Sequence, residues 1–161
     1  MSNTIVTDDM RQLAKQFTER FQENFLGSRE DRDELTYWVM PASWRDAAEF
    51  LRDQGFDHLS DLTAVDYLDR SPRFDVMAIF SNQRACAYLR LKTVVDLGEP
   101  VDSLTPIWTG ACWFEREIFD LFGIEFTDNP DQRRILLPKD YQGHPLRKDY
   151  PVTGPVGSLF R

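Results

Sequence analysis

The chain has 161 residues, 42% of them hydrophobic and 29% charged, with a formal net charge of −8. That length allows one domain with a buried core, and the acidic balance argues against non-specific attachment to nucleic acid or anionic lipid. No run approaches the ~18–20 apolar residues of a membrane span, and the opening MSNTIVTDDM lacks the basic and apolar regions of a secretory signal, so the chain is expected to stay where it is made.

In chain order, residues 7–26 predict a helix, with Met10, Leu13, Ala14, Phe17, Phe21 and Phe25 on one face. Thr7, Asp8 and Asp9 supply capping groups at its start. Ser28 to Glu34 reads as a solvated connector, and Leu35 to Met40 as a strand rich in aromatic and β-branched residues. After Pro41, Ser43 and Asp46 predict a capping box for a second helix whose apolar face is Trp44, Ala47, Ala48 and Leu51, closed by Gly55. A strand is expected around Leu62–Val65. Residues 73–80 and 85–95 then read as a hairpin turning at Ser81-Asn82-Gln83. Gly98 to Pro106 is a loop whose end opens a short helical turn.

Two cysteines, Cys86 and Cys112, cannot supply the four ligands an iron–sulfur cluster usually takes. Both are expected to be small buried hydrophobes. No dinucleotide or phosphate-loop glycine pattern is present, and the two histidines, His58 and His144, have no helical spacing for a metal. The expected fold class is α+β: a small, mainly antiparallel sheet with two helices packed on it, a third helix, and an extended C-terminal tail.

That third helix runs from Ala111 to Phe122. Phe114, Ile118, Leu121 and Phe122 make its apolar stripe; Glu115, Arg116, Glu117 and Asp120 take the other faces, with Arg116 and Asp120 spaced to pair. Gly123 follows as a left-handed cap. Beyond it periodicity disappears and the charge changes sign. From Gln132 onward six basic residues stand against two acidic ones, a surplus of +4 that leaves −12 on the rest. The expected division is a globular domain over 1–128, able to fold alone, and a basic tail over 129–161 that docks on partner proteins, the alternative being a tail that lies back on its own acidic domain.

The blocks Trp113-Phe114-Glu115-Arg116-Glu117, Asp120-Leu121-Phe122-Gly123-Ile124, Arg133-Arg134-Ile135-Leu136 and Gly143-His144-Pro145-Leu146-Arg147-Lys148-Asp149-Tyr150-Pro151 occur in this order. Together they resemble the 30-kilodalton (C) subunit of respiratory complex I, the proton-pumping NADH:quinone oxidoreductase. Ala64-Val65-Asp66-Tyr67 and Ser103-Leu104-Thr105 also resemble it. One departure stands out: where that family usually has Gly-His-Pro-Asp, this chain has Asp128-Asn129-Pro130-Asp131.

The resemblance implies a structural subunit of the peripheral arm on the cytoplasmic side of the membrane, beside the quinone-site (D) subunit. Flavin (FMN), iron–sulfur clusters and quinone would be held by other subunits, with no cofactor or catalytic residue in this chain. The residues expected to meet partners are Glu115, Arg116, Glu117, Asp120, Arg133, Arg134, His144, Arg147, Lys148 and Tyr150. A related membrane-bound hydrogenase or F420H2 dehydrogenase would use an equivalent subunit. A free-standing adaptor or anion-binding domain is the reading from another class.

Overall fold

The computed structural model describes residues 8–31 and 34–153. Its helices are α1 (Asp8–Phe21), α2 (Trp44–Asp53) and α3 (Ala111–Phe122). Its strands are β1 (Phe25–Asp31), β2 (Glu34–Val39), β3 (His58–Asp66), β4 (Phe74–Asn82), β5 (Ala87–Val95), β6 (Val101–Asp102) and β7 (Phe126–Thr127). Five strands form one mainly antiparallel sheet in the order β1-β2-β5-β4-β3, in which β2 and β5 run parallel. β6 and β7 form a second, two-stranded parallel sheet. This is the α+β class that the periodicities predict. The described residues divide into two compact units, unit 1 (those within 8–62 and 77–93) and unit 2 (those within 63–76 and 94–153).

Unit 1 is held together by aromatic packing. Leu13, Phe17 and Phe21 of α1 are buried on the predicted face. Phe17 stacks on Tyr37 of β2 with ring centroids 4.4 Å apart, and meets Phe25 and Phe50 edge-on at 5.8 Å. Trp44, Ala47, Ala48 and Leu51 of α2 are completely buried, as their spacing predicts.

Several local expectations need correction. α1 ends at Phe21, and Phe25–Asp31, read as helix end and connector, is a strand. It pairs antiparallel with β2 at the sheet edge, and from Ser28 onward its side chains are exposed, so no hydrophobic alternation marks it. Ser43 makes no side-chain cap to α2, because it is buried as the last residue of a 3₁₀ turn over Pro41–Ser43. The hairpin turn falls at residues 83–86, later than predicted, and there Cys86 is exposed at a positive φ of 50°, while Cys112 is partly buried. The capping groups predicted at Thr7, Asp8 and Asp9, like the end of the tail from residue 154, lie outside the described residues and side chains.

Unit 2 buries Val101, Leu104, Ala111, Ile118, Phe122, Ile124 and Phe126. The described part of the tail, residues 129–153, groups with α3 in unit 2. Residues 128–153 carry no helix or strand, and side chains supply most of the bonds that tie this tail to α3 and β3, with the Leu146 N–H on the Leu121 carbonyl beside them.

Candidate functional site

α3 keeps the predicted apolar stripe only in part. Ile118 and Phe122 are buried, while Phe114 and Leu121 are half-buried. The helix also buries two carboxylates, Glu115 and Asp120, both 0% exposed. Hydropathy assigns such groups to the outside, because a carboxylate loses its water on burial. Each of these two recovers a full set of donors instead.

Glu115 Oε1 accepts the Leu104 N–H at 2.7 Å. Its Oε2 accepts the Ser103 hydroxyl at 2.7 Å, the Asn129 amide Nδ2 at 2.7 Å and the Thr105 hydroxyl at 3.3 Å. Burial still dominates and raises the Glu115 pKa, against the lowering effect of those donors. The Asp128-Asn129 departure has its physical reason here. Asp128 has φ +64°, a conformation glycine adopts freely and aspartate tolerates. Asn129 supplies the N–H donor that its position requires, and its Oδ1 accepts the Asp131 N–H at 2.7 Å, which closes the turn.

Asp120 organises the next part of the tail. Its Oδ2 accepts three successive N–H groups, of Ile135 at 3.0 Å, Leu136 at 2.8 Å and Leu137 at 2.9 Å. Its Oδ1 accepts Arg134 Nη1 at 2.6 Å. Burial works to raise this carboxyl, but the Leu137 N–H, Arg134 and the other N–H groups outweigh it, and the pKa lies below the ordinary value. Arg116 does not pair with Asp120 as its spacing suggests. It reaches Asp131 at 3.4 Å and donates to the carbonyls of Arg133 and Arg134.

The end of α3 is then capped by the same tail. A helix leaves its last carbonyls without intrahelical donors. Gly123, at φ +72°, turns the chain away and its N–H bonds back to the Phe119 carbonyl. The Asp120 carbonyl accepts Arg134 Nη1 and sits 2.9 Å from His144 Nδ1; the Leu121 carbonyl accepts the Leu146 N–H at 3.1 Å. Arg147 donates to the carbonyls of Phe122 and Gly123. Two guanidinium groups thus meet the negative end of the helix dipole. A Cβ on Gly123 would collide with the Arg147 guanidinium and lie 2.6 Å from His144 Nε2, so glycine serves both the turn and the close approach. Burial lowers the His144 and Arg147 pKa values.

A third carboxylate fixes the segment after His144. Asp66 at the end of β3 receives Arg73 through Nε at 2.7 Å and Nη2 at 2.6 Å, and the Lys148 N–H at 2.7 Å. Arg73 also grips Asp149, at 3.1 and 2.9 Å. The hydrogen bonds from Arg73 hold Asp66 below its ordinary pKa, and those carboxylates hold Arg73 above its own. Tyr150 donates to the Tyr141 hydroxyl at 2.8 Å, and desolvation with that bond pushes its pKa up to about 12.

The residues expected to meet partners therefore fall into two groups. Glu115, Asp120, Arg134, His144, Arg147 and Tyr150 spend their polar atoms inside unit 2. Glu117, Arg133 and Lys148 have exposed side chains, Arg133 being paired with Asp131, and Arg116 is largely enclosed. Sequence reasoning does not single out Arg73, Asp149, Ser103, Thr105 or Asn129 as site residues. For Ser103 and Thr105 the signal lies in the distant block Ser103–Thr105, which Glu115 ties to α3, and for Asp149 in the block Gly143–Pro151; Arg73 and Asn129 lie outside the blocks. Such saturated carboxylates bind backbone and shape a surface. Among the described residues no group of three or more His, Cys, Asp or Glu is placed to hold a metal, and no helix is long and apolar enough to cross a membrane.

Comparison with known proteins agrees with this layout. Residues 37–156 match the family model described as the 30 Kd subunit of respiratory-chain NADH dehydrogenase. The NADH dehydrogenase [ubiquinone] iron-sulfur protein 3 of Candida albicans is 45% identical over 126 residues, which are 76% of this chain and 45% of that protein. The C subunit of NADH-quinone oxidoreductase from a Roseiflexus species is 49% identical over 135 residues, covering 79% of this chain and 75% of that one. The chain spans less than half the length of the Candida and Neurospora relatives it matches. A chain from the membrane-bound sulfane sulfur reductase, an archaeal respiratory membrane complex, shares the fold at TM-score 0.77 and 21% identity, with 90% of this chain and 87% of that one covered. The chain belongs to the family of the 30-kilodalton subunit of respiratory-chain NADH dehydrogenase.

Proposed function

We propose that the chain is a structural subunit of the peripheral arm of a proton-translocating NADH:quinone oxidoreductase, seated beside the quinone-site subunit on the cytoplasmic side of the membrane. Electrons would pass from NADH through flavin and iron–sulfur clusters on other subunits to quinone, and this chain would contribute shape and docking surface. The observation that carries the reading is the use made of the family-like blocks within this one chain. Carboxylates that invite an acid–base interpretation have their acceptors filled by the chain's own donors, and the result is an irregular segment bonded onto α3.

The test is native electrophoresis of membranes from cells carrying a tagged full chain. The tag should migrate with a large NADH-oxidising assembly, and loss of the chain should abolish NADH-dependent quinone reduction. Purified alone, the chain should leave NADH unoxidised. Migration as a small free protein would reject the reading and favour an adaptor.

A further inference from the structure

Residues 143–149 cross the end of α3 as a strap fastened at both sides. Arg134 donates to the Gly143 carbonyl at 3.1 Å at its start, and Arg73 grips Asp149 at its finish. Between these clamps the Leu146 N–H bonds to the Leu121 carbonyl at 3.1 Å and the Lys148 N–H to Asp66 at 2.7 Å. His144 belongs to this stretch, half-buried, with its ring edge-on to Phe119 at 6.3 Å.

The geometry of the ring decides which form of it fits. The Asp120 carbonyl, 2.9 Å from Nδ1, can only accept, so Nδ1 carries the proton and Nε2 keeps a lone pair in the neutral ring. Nε2 lies against Gly123, where a Cβ would strike both it and the Arg147 guanidinium. A lone pair beside a cation suits the neutral ring; a second proton would set one charged N–H group against another in a partly desolvated place. A helix C-terminus ordinarily favours a histidine cation. Here that end is already taken, because Arg134 donates to the Asp120 carbonyl and Arg147 to those of Phe122 and Gly123. The Asp120 carboxylate, which also favours the cation, is filled by Arg134 and three N–H groups. Asp66, Asp149 and Arg73 act on Arg147 from behind. Asp66, Asp120 and Asp149 are held below the ordinary carboxylate range and stay charged where histidine titrates.

We propose that His144 makes this strap a pH-sensitive latch, closed over the end of α3 while the ring is neutral and loosened as the ring takes a second proton. The direction follows from linkage. An open strap leaves the ring in water at its ordinary value of 6.5, whereas burial and the two guanidinium groups lower it in the closed one, so closure weakens as pH falls below that value. The stretch that opens is residues 144–148, because the clamps at Gly143 and Asp149 hold no group that titrates there. The inference goes beyond the functional reading and needs only this chain.

The experiment measures amide exchange in the full chain at pH ~7.5 and ~5.5, corrected for the intrinsic effect of pH, in the wild type and in His144→Asn. Asparagine keeps a donor for the Asp120 carbonyl but does not titrate. At the lower pH the Leu146 and Lys148 N–H groups should lose protection in the wild type, while those of Ile135, Leu136 and Leu137 on Asp120 keep theirs. The variant should lose none at either place. A nitrogen NMR titration of the wild-type ring should find the neutral proton on Nδ1 and a midpoint below the ordinary value. Equal losses at Leu146 and Leu136 would be a general acid effect and overturn the latch. So would the wild-type loss persisting in His144→Asn, or a ring that titrates at or above its ordinary value. Should the variant fail to fold, the ring titration and the contrast between Leu146 and Leu136 in the wild type decide.

Discussion

Glu115 and Asp120 lie five residues apart on one helix, both fully buried, and they respond to pH in opposite senses. The Glu115 pKa is raised, so folding favours its protonated form; that contribution is complete below the ordinary glutamate value and is lost as pH rises through the raised one. The Asp66 and Asp120 values are depressed, so their contribution is present above the ordinary aspartate value and is lost as pH falls through the depressed ones. His144, also depressed, costs stability as pH falls below the ordinary histidine value, so Glu115 must be read as a difference. Between pH ~7 and ~4.3 the wild type should gain stability relative to Glu115→Gln, and below pH ~3.9 it should lose stability relative to Asp120→Asn. Urea midpoints across pH measure both, and a flat wild-type-minus-Gln difference would contradict a desolvated Glu115. Arg73 gives a larger effect at neutral pH. Arg73→Ala leaves Asp66 buried without its cation and should cost about 3–5 kcal/mol in urea unfolding, because the stranded charge is worse than the lost pair. These roles are not legible in residue type alone: a carboxylate reads as outward-facing until its donors, which come from 7 to 82 positions away, are seen.

At the scale of elements, legibility follows periodicity. The sequence marks α2 to within a residue or so because four apolar side chains recur on its face, and glycine after an apolar run marks the left-handed cap at Gly123. β1 escapes a sequence reading because an edge strand with exposed side chains has no inside to mark. The two-residue strands β6 and β7 escape it because they are too short to alternate. The segment after α3 is recognisable as irregular, but its destination is invisible, since backbone N–H groups carry no sequence signature. Its chief act is to cap α3, and Gly123→Ala tests that. The left-handed backbone alone costs roughly 1–2 kcal/mol for a residue with a Cβ, and displacement of His144 and Arg147 adds to it. The variant should melt lower and be cut by protease within residues 130–150, where the wild type resists. Cleavage no faster than in the wild type would mean that the tail does not depend on this approach.

At the scale of the whole molecule, an acidic chain with a basic end suggests two separable parts, a body that folds and a tail that docks. The bonds within unit 2 predict otherwise. Ending the chain at Asp128 would take the Asn129 donor from Glu115, the Arg134 cation and three N–H groups from Asp120, and the Lys148 N–H from Asp66. It would also strip Asp149 from Arg73 and expose the last carbonyls of α3. A buried polar group left unpaired costs ~1–3 kcal/mol, and the whole folding free energy of a small domain is ~5–15 kcal/mol. Several such losses in one place reach that total even after water fills some of them. The truncated chain should therefore fail to melt cooperatively, and amide exchange protection should be lost first in α3 and residues 101–127. Adding residues 129–153 as a separate peptide should restore part of the protection, because its partners are carboxylates already fixed in the fold. A truncated chain with a wild-type melt and a protected α3 would return the tail to the role its charge suggests, a segment that acts only on other proteins.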